Sequence, residues 1–163
     1  MASDDFLTRV SAAFLPQVDV VVSNVSVDGR RQKWWLHHVL SPLLLHFPTT
    51  LFACNFIGPT ACLCFKKEQM QLFNPSLCWA VDYEWYYRML QNSRVRYLRT
   101  NYIRSHHGHK GQISQTIDIQ KVRQSDNETL RKMYASHFRI RLFIFIGKVI
   151  RKFLLALHSK RTH

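Results

Sequence analysis

Residues Phe73–Ser114 read FNPSLCWAVDYEWYYRMLQNSRVRYLRTNYIRSHHGHKGQIS, and this stretch determines the predicted fold and the candidate site. Phe73–Ser76 is a turn and helix-start signal, and residues 80–90 carry the 3.6-residue periodicity of a half-buried helix. A strand-like run, Arg94–Leu98, follows, and then a polar loop rich in histidine. The helix begins with an isolated carboxylate, Asp82, among aromatic neighbours. This combination favours a functional site over a simple core.

Asp82 is the residue of this stretch best suited to proton transfer. Its aromatic neighbours would exclude water, and partial desolvation raises the basicity of a carboxylate, as a general base requires. The alternative is a charge that only stabilises the helix N-terminus. Because Trp85 and Arg88 follow one and two turns later, we expect all three side chains on one face. Glu84 should pair with Arg88 on the exposed side of the helix.

Charge is distributed unevenly along the 163 residues. The net charge is +13, and from Arg88 onward 17 Lys or Arg stand against three acids, whereas residues 1–87 hold six against seven. The basic half should meet an anionic partner, such as a membrane surface, a phosphate-bearing substrate or nucleic acid. With 47% apolar residues, the chain is expected to fold as one domain with a real core.

The cysteines and the termini predict a cytoplasmic protein. Cysteines 54, 62, 64 and 78 lack the paired spacing of a structural zinc site, so we expect reduced and mostly buried thiols. The N-terminus starts with acids and does not resemble a signal peptide. The longest apolar run, Leu142–Gly147, is far shorter than the roughly 20 residues of a membrane-spanning helix.

The remaining segments predict an α/β fold. Gly58, within the Asn55–Thr60 loop, would let backbone approach a ligand closely, although a tight turn without a ligand fits equally well. Farther on, Ser125 with Glu128 three residues later is a capping pattern that should start a helix. The predicted elements before the central stretch are a helix ending at Pro16, a strand over Val18–Val27, a turn at Asp28–Gly29, a helix over Trp34–His46 and a strand over Ala61–Phe65.

The residue pattern of 138–157 predicts a basic amphipathic helix. It could pack on its own domain or lie in the interface of an anionic membrane. We favour the membrane, because the apolar surface exceeds what one small domain would cover and each Lys or Arg near an anionic leaflet adds on the order of 1 kcal/mol. The apolar residues behind this interpretation are Phe143, Phe145, Phe153 and Leu154.

The order of these motifs resembles the second half of a family 2 glycosyltransferase with the GT-A fold. The matching elements are SDDFL, a strand with a DG turn, NFIGPT before a strand, FNPSL with VDYEWYYRML, RVRYL and HKGQIS, from Ser3 to about Ser114. Such enzymes place a nucleotide-binding half before the DxD-type motif. The resemblance therefore implies an incomplete GT-A domain over residues 1–136, with a mixed sheet flanked by helices. A basic amphipathic helix and tail over 137–163 would follow.

The resemblance also implies roles for individual residues. By themselves, Asp4 and Asp5 could cap a helix or hold a cation. By resemblance, Asp5 would bind Mn²⁺ or Mg²⁺, Asp4 would help hold the nucleotide sugar, and Asp82 would be the base that deprotonates the acceptor hydroxyl. His109 would lie near the diphosphate or the metal. His106 and His107 compete for that role, and the other implied substrate-binding residues are Asn55, Gly58, Pro59, Thr60, Trp85, Arg88 and Gln112.

The expected partners follow from that family. They are a nucleotide-diphosphate sugar donor, a glycan or lipid-linked acceptor and the inner face of the cell membrane, with no nucleic acid. One alternative is a nucleic-acid-binding module, which would use the interleaved aromatic and basic residues of 85–102. Another is an inactive, membrane-associated remnant.

Overall fold

A computed structural model of the protein describes residues 5–27, 30–31, 35–105 and 117–159. In this part of the chain a four-stranded mixed sheet is flanked by helices, which confirms the predicted α/β class. Short 3-10 helices cover Pro48–Phe52, Thr60–Cys62 and Lys67–Gln69. The longer elements are α1 (Phe6–Ala13), β1 (Val20–Val27), β2 (Arg30–Arg31), α2 (Trp35–Leu44), β3 (Leu63–Phe65), α3 (Val81–Leu90), β4 (Val95–Ser105), α4 (Ile119–Met133) and α5 (Phe138–Ser159).

Strand β1 is the centre of the sheet. It pairs in parallel with β4 from Val20 opposite Val95 to the end of both strands. On its other edge it pairs antiparallel with β3 at its start and with β2 at its end. Its β-branched residues suit a strand that is covered on both faces, and positions 20–26 are all buried. The predicted Asp28–Gly29 turn lies outside the described residues.

An irregularity interrupts the parallel pairing of β1 with β4. Ser23 lies opposite Leu98, but the next residue, Asn24, lies opposite Tyr102, so β4 carries additional residues at this point. The Asn24 side chain donates a hydrogen bond to the backbone oxygen of Arg99 at 3.3 Å and accepts one from the following backbone N–H at 2.8 Å. A buried amide therefore satisfies backbone groups that the bulge has taken out of the ladder.

The two faces of the sheet carry different helices. Because side chains alternate along a strand, Val21 points to one face and Val20 and Val22 to the other. Val21 packs in a small cluster with Ala13 of α1. Val20 and Val22 belong to the main core, which includes residues of α3, α4 and α5. Helices α1 and α3 therefore pack against opposite faces.

Helix α4 begins earlier than the sequence predicted. Asp118 is its N-cap, and the Asp118 carboxylate accepts hydrogen bonds from the backbone N–H groups of Gln120 and Lys121, both at 3.1 Å. Ser125, the predicted cap, lies in the middle of the helix, so that prediction was wrong. The capping pattern was misleading because the helix extends about two turns upstream of Ser125, to the cap that Asp118 provides.

Helix α5 packs on the domain through one face. Ile140 and Ile144 are 1% exposed and belong to the main core, and Phe143 packs against it. Gly147 lies so close to the chain after the 3-10 helix that an added Cβ would be 2.8 Å from the backbone oxygen of Ala53. Within the described residues, no helix combines the length and apolarity needed to cross a bilayer.

Candidate active-site cleft

A cleft of about 560 Å³ opens at the N-terminus of α3. Its walls come from the end of the 3-10 helix Pro48–Phe52 and the residues after it, from the first turn of α3, and from α4 and α5. The lining is mostly apolar with a few polar groups, which is the usual character of a small-molecule site. The lining residues are Leu51, Phe52, Ala53, Cys54, Asn55, Cys78, Trp79, Val81, Asp82, Tyr83, Arg123 and Ile150.

Asp82 supplies the carboxylate that lines this cleft. It lies in the first turn of α3 and is half-buried beside the rings of Trp79 and Tyr83 in the lining. Desolvation by burial raises the pKa of Asp82 above its ordinary value of 3.8. A carboxylate of raised pKa in a cleft has the properties of a general acid or base. The environment expected of Asp82 from the sequence is therefore present.

The N-terminus of α3 is held by an acid from another helix. Asp126 on α4 is 4% exposed, and its carboxylate accepts hydrogen bonds from the backbone N–H groups of Cys78, Trp79 and Ala80 at distances down to 2.6 Å. These N–H groups belong to the segment that leads into α3 and to its N-cap residue, Ala80. Asp126 thus fixes the turn that presents Asp82. The sequence offered no signal for this, because the partners are backbone groups 46 to 48 residues away.

Arg123 adds a positive charge to the same cleft. Its guanidinium carbon lies 4.7 Å from the centroid of the Trp79 ring, a cation–π geometry that fixes both side chains. Together with the Asn55 amide, it gives the cleft a hydrogen-bonding cation near an acid and two aromatic rings. Sequence reasoning missed Arg123, since it is one of many basic residues in that half of the chain.

Trp85 and Arg88 do not line this cleft, although both were expected on the face of Asp82. Trp85 is 4% exposed, and its indole N–H donates to the backbone oxygen of Gln71 at 2.8 Å. Residues three apart differ by about 300° around a helix, so positions 82, 85 and 88 drift steadily away from one face. Substrate binding by Trp85 and Arg88 stays a prediction, but both side chains already make structural contacts.

The predicted pair of Glu84 with Arg88 forms, but not on an exposed side. The Arg88 Nε donates to Glu84 Oε1 at 2.8 Å, and Glu84 is 0% exposed. The hydroxyl of Tyr134 donates to the same carboxylate oxygen at 2.7 Å. The prediction of a surface pair was wrong, because α4 and the chain that follows it cover this side of α3.

The Asn55–Thr60 loop is stabilised by its own side chains. Asn55 Oδ1 accepts hydrogen bonds from the backbone N–H groups of Ile57 and Gly58 at 3.1 and 3.2 Å. Gly58 has a φ of 101°, and its oxygen accepts a 3.0 Å hydrogen bond from the Tyr86 hydroxyl. The glycine is therefore explained by the turn itself. Of the loop residues predicted to bind substrate, only Asn55 lines the cleft; Gly58, Pro59 and Thr60 do not.

The expected metal ligands are only partly described. Asp5 is ion-paired with Arg9, which also donates to the Thr100 hydroxyl at 3.1 Å. Asp5 does not line the Asp82 cleft, and α1, which follows Asp5, packs on the opposite face of the sheet from α3. Among all the described residues, no three His, Cys, Asp or Glu side chains form a cluster that could hold a metal ion. Asp4, His106, His107, His109 and Gln112 lie outside the described residues.

The cysteines differ from the expectation of mostly buried thiols. Cys62 is buried and Cys64 half-buried, but Cys54 and Cys78 are exposed, and both line the cleft. The four form no disulfide. Two accessible thiols beside Asp82 therefore mark the cleft for chemical labelling.

Comparison with protein-family models, with curated proteins and with solved structures found no match for this chain.

Proposed function

We propose that this protein is a family 2-like glycosyltransferase, with Asp82 as the general base. The donor is a nucleotide-diphosphate sugar, and the acceptor is a hydroxyl of a glycan or a lipid-linked glycan. Asp82 takes the proton of that hydroxyl while the hydroxyl oxygen bonds to the anomeric carbon of the donor sugar. The bond from that carbon to the diphosphate breaks, and the nucleoside diphosphate leaves with the electron pair.

The observation that carries the proposal is the environment of Asp82. The carboxylate lies in an aromatic-lined cleft, and burial raises its pKa, so it is a better proton acceptor than an exposed aspartate. Trp79 and Tyr83 supply ring surfaces for the apolar faces of a sugar, and Asn55 can bond to its hydroxyls. Arg123 supplies a cation that suits an anionic donor.

The divalent metal of such enzymes would neutralise the departing diphosphate. Asp5 is the single member of the expected ligand set within the described residues, and it is held by Arg9. The described residues thus do not assemble a metal site, and the metal stays a prediction.

The nucleic-acid alternative receives no support from three of the aromatic residues that suggested it. Base stacking needs exposed rings, but Trp85, Tyr86 and Tyr87 are between 0% and 4% exposed. These three rings pack in the core, so they do not form a stacking platform.

Two measurements on the purified chain test the proposal. Calorimetric titration with Mn²⁺ and a panel of nucleoside diphosphates measures donor-side binding, and the release of nucleoside diphosphate from sugar donors, with a panel of glycan acceptors, measures transfer. We expect Asp82→Asn to lower transfer by at least about 100-fold, the contribution typical of a general base, while binding changes little.

The control is Glu128→Gln, which removes an exposed carboxylate on α4 and should change neither quantity. If Asp82→Asn lowers nucleotide binding as much as transfer, Asp82 is not the base. If the folded wild-type chain neither binds nor turns over any donor in the panel, the proposed function is wrong for this chain.

A further inference from the structure

The outer side of α5 carries a continuous apolar stripe. Four side chains on it are exposed although they are large and apolar: Phe138 at 74%, Leu142 at 41%, Phe145 at 58% and Val149 at 50%. With about 100° of rotation per residue, the four fall within roughly 60° of arc. Ile140, Ile144 and Gly147, which pack on the domain, lie on the opposite side. We call these four residues the outer stripe of α5.

Positive charges border the outer stripe. Helical rotation places Arg139 on one side of it and Arg141 on the other, and both are exposed. Arg131 of α4 joins Arg141, Phe138, Leu142 and Phe145 around a shallow groove of about 640 Å³. From residue 129 to the end the sequence has nine Lys or Arg and no acid.

We propose that the outer stripe of α5 docks the protein on the surface of an anionic lipid bilayer. The helix would lie parallel to the membrane, with the stripe among the acyl chains and glycerol groups and the flanking arginines at the lipid phosphates. The opposite side of α5 stays packed on the domain, so the domain sits on the membrane without unfolding. This surface is independent of the reaction proposed for the Asp82 cleft.

Charge decides between a bilayer and the other partners that an apolar stripe could take. A second copy of the chain, packed stripe to stripe, would bring Arg139 and Arg141 against the same basic residues of its neighbour in a protein of net charge +13. A nucleic acid would neutralise the arginines but would leave exposed Phe138 and Phe145 facing charged phosphates. An anionic bilayer offers phosphates at its surface and hydrocarbon a few ångströms below, which matches both parts of the surface.

Vesicle co-sedimentation of the full chain tests this proposal. The vesicles contain either phosphatidylcholine alone or about 30% phosphatidylglycerol in phosphatidylcholine, and the measurement is repeated at low and high salt. We expect at least tenfold tighter binding to the anionic vesicles, weakened by salt. Leu142→Glu with Phe145→Glu should lower binding at least tenfold, and Arg139→Gln and Arg141→Gln about fivefold each.

The control is Met70→Glu with Leu72→Glu, which places the same two charges at apolar side chains that are 62% and 80% exposed elsewhere on the chain and should leave vesicle binding unchanged. Circular dichroism checks that each variant is folded. If the double glutamate variant does not fold, the arginine variants still test the surface. Equal binding to neutral and anionic vesicles would overturn the proposal. So would unchanged binding of the folded glutamate variant, or a wild-type dimer in ultracentrifugation that this variant dissociates.

Discussion

Asp126 on α4 accepts a 2.6 Å hydrogen bond from the backbone N–H of Ala80, the N-cap residue of α3. An alanine cannot cap a helix with its side chain, and α3 has no local side-chain cap. The Asp126 carboxylate, 46 residues away, instead holds the segment that leads into α3, because it also binds the two preceding N–H groups. The same contact that closes the core between α3 and α4 therefore also positions Asp82, two residues farther along.

Replacing Asp126 tests how much this long-range contact stabilises the fold. Asp126→Ala leaves three backbone N–H groups without their acceptor, so the free energy of unfolding should fall by about 1–3 kcal/mol. Asp126→Asn keeps one acceptor oxygen and should lose less. Urea denaturation measures both variants, with Glu128→Ala, exposed on the same helix, as the control. A loss no larger than that of Glu128→Ala would mean that the hydrogen bonds of Asp126 contribute nothing to stability.

Asp82 should lower the stability of the fold at neutral pH. Burial raises its folded-state pKa above 3.8, so the folded state favours the protonated acid. That favourable contribution is complete below the unfolded-state pKa and is lost as the pH rises through the folded-state pKa. Asp82→Asn should therefore be more stable than the wild type at pH 7, and the difference should shrink toward pH 3.

The net charge makes this test of Asp82 sharper. Removing an acid from a chain of net charge +13 increases self-repulsion, which by itself would destabilise the fold. Glu128→Gln makes the same change in charge at an exposed position and serves as the matched control. If Asp82→Asn and Glu128→Gln change the free energy of unfolding equally at pH 7, burial of the Asp82 carboxylate does not destabilise the fold.

Local patterns predicted the main elements, because helices and strands follow side-chain periodicity. The β-branched run ending at Val27 became β1, and the 3.6-residue pattern around Asp82 became α3. The errors came from contacts between elements. The spacing of Glu84 and Arg88 predicts an exposed pair, but Tyr134 and Arg88 cover Glu84. No local pattern could have revealed Asp126, whose partners are distant backbone groups.

Gly147 should be intolerant of even one added methyl group. An alanine Cβ would lie 2.8 Å from the backbone oxygen and 2.9 Å from the Cα of Ala53, and backbone atoms cannot rotate away. The cost of overpacking, about 1–3 kcal/mol, outweighs the gain of up to about 1 kcal/mol from the higher helix propensity of alanine. Thermal or urea unfolding of Gly147→Ala should show a net loss, and Gly147→Val a larger one.

Val149→Ala provides the control for Gly147, because Val149 is 50% exposed two residues farther along α5. It should change the free energy of unfolding by no more than about 0.5 kcal/mol, as is usual for surface positions. A Gly147→Ala protein as stable as the wild type would show that α5 does not approach the chain at Ala53 this closely.

The cysteines should separate into reactive and protected classes. Burial raises the pKa of Cys62 to about 12, so its thiolate is scarce at pH 8, whereas Cys54 and Cys78 are exposed. Iodoacetamide should label Cys54 and Cys78 and spare Cys62 in the native chain, as read by peptide mass spectrometry. Because both reactive thiols line the Asp82 cleft, a ligand bound there should slow their labelling. Fast native labelling of Cys62 would contradict the burial of its thiol against Asn24 of β1.

Asp19 should make the fold sensitive to acid. The side-chain hydrogen bonds of Arg94, at 2.9 and 3.0 Å, and then its backbone N–H hold the pKa of Asp19 well below the ordinary value of 3.8. For a carboxylate with a lowered folded-state pKa, the stabilisation is complete above the unfolded-state value and is lost as the pH falls below it. The free energy of unfolding of the wild type should therefore decline below about pH 4, and more gently in Asp19→Asn.

Arg94→Gln should flatten the same part of the curve, and the double variant should add little to either single change, because the two residues act as one pair. Additive effects in urea unfolding between pH 2 and pH 5 would mean that Asp19 draws its acid dependence from a group other than Arg94.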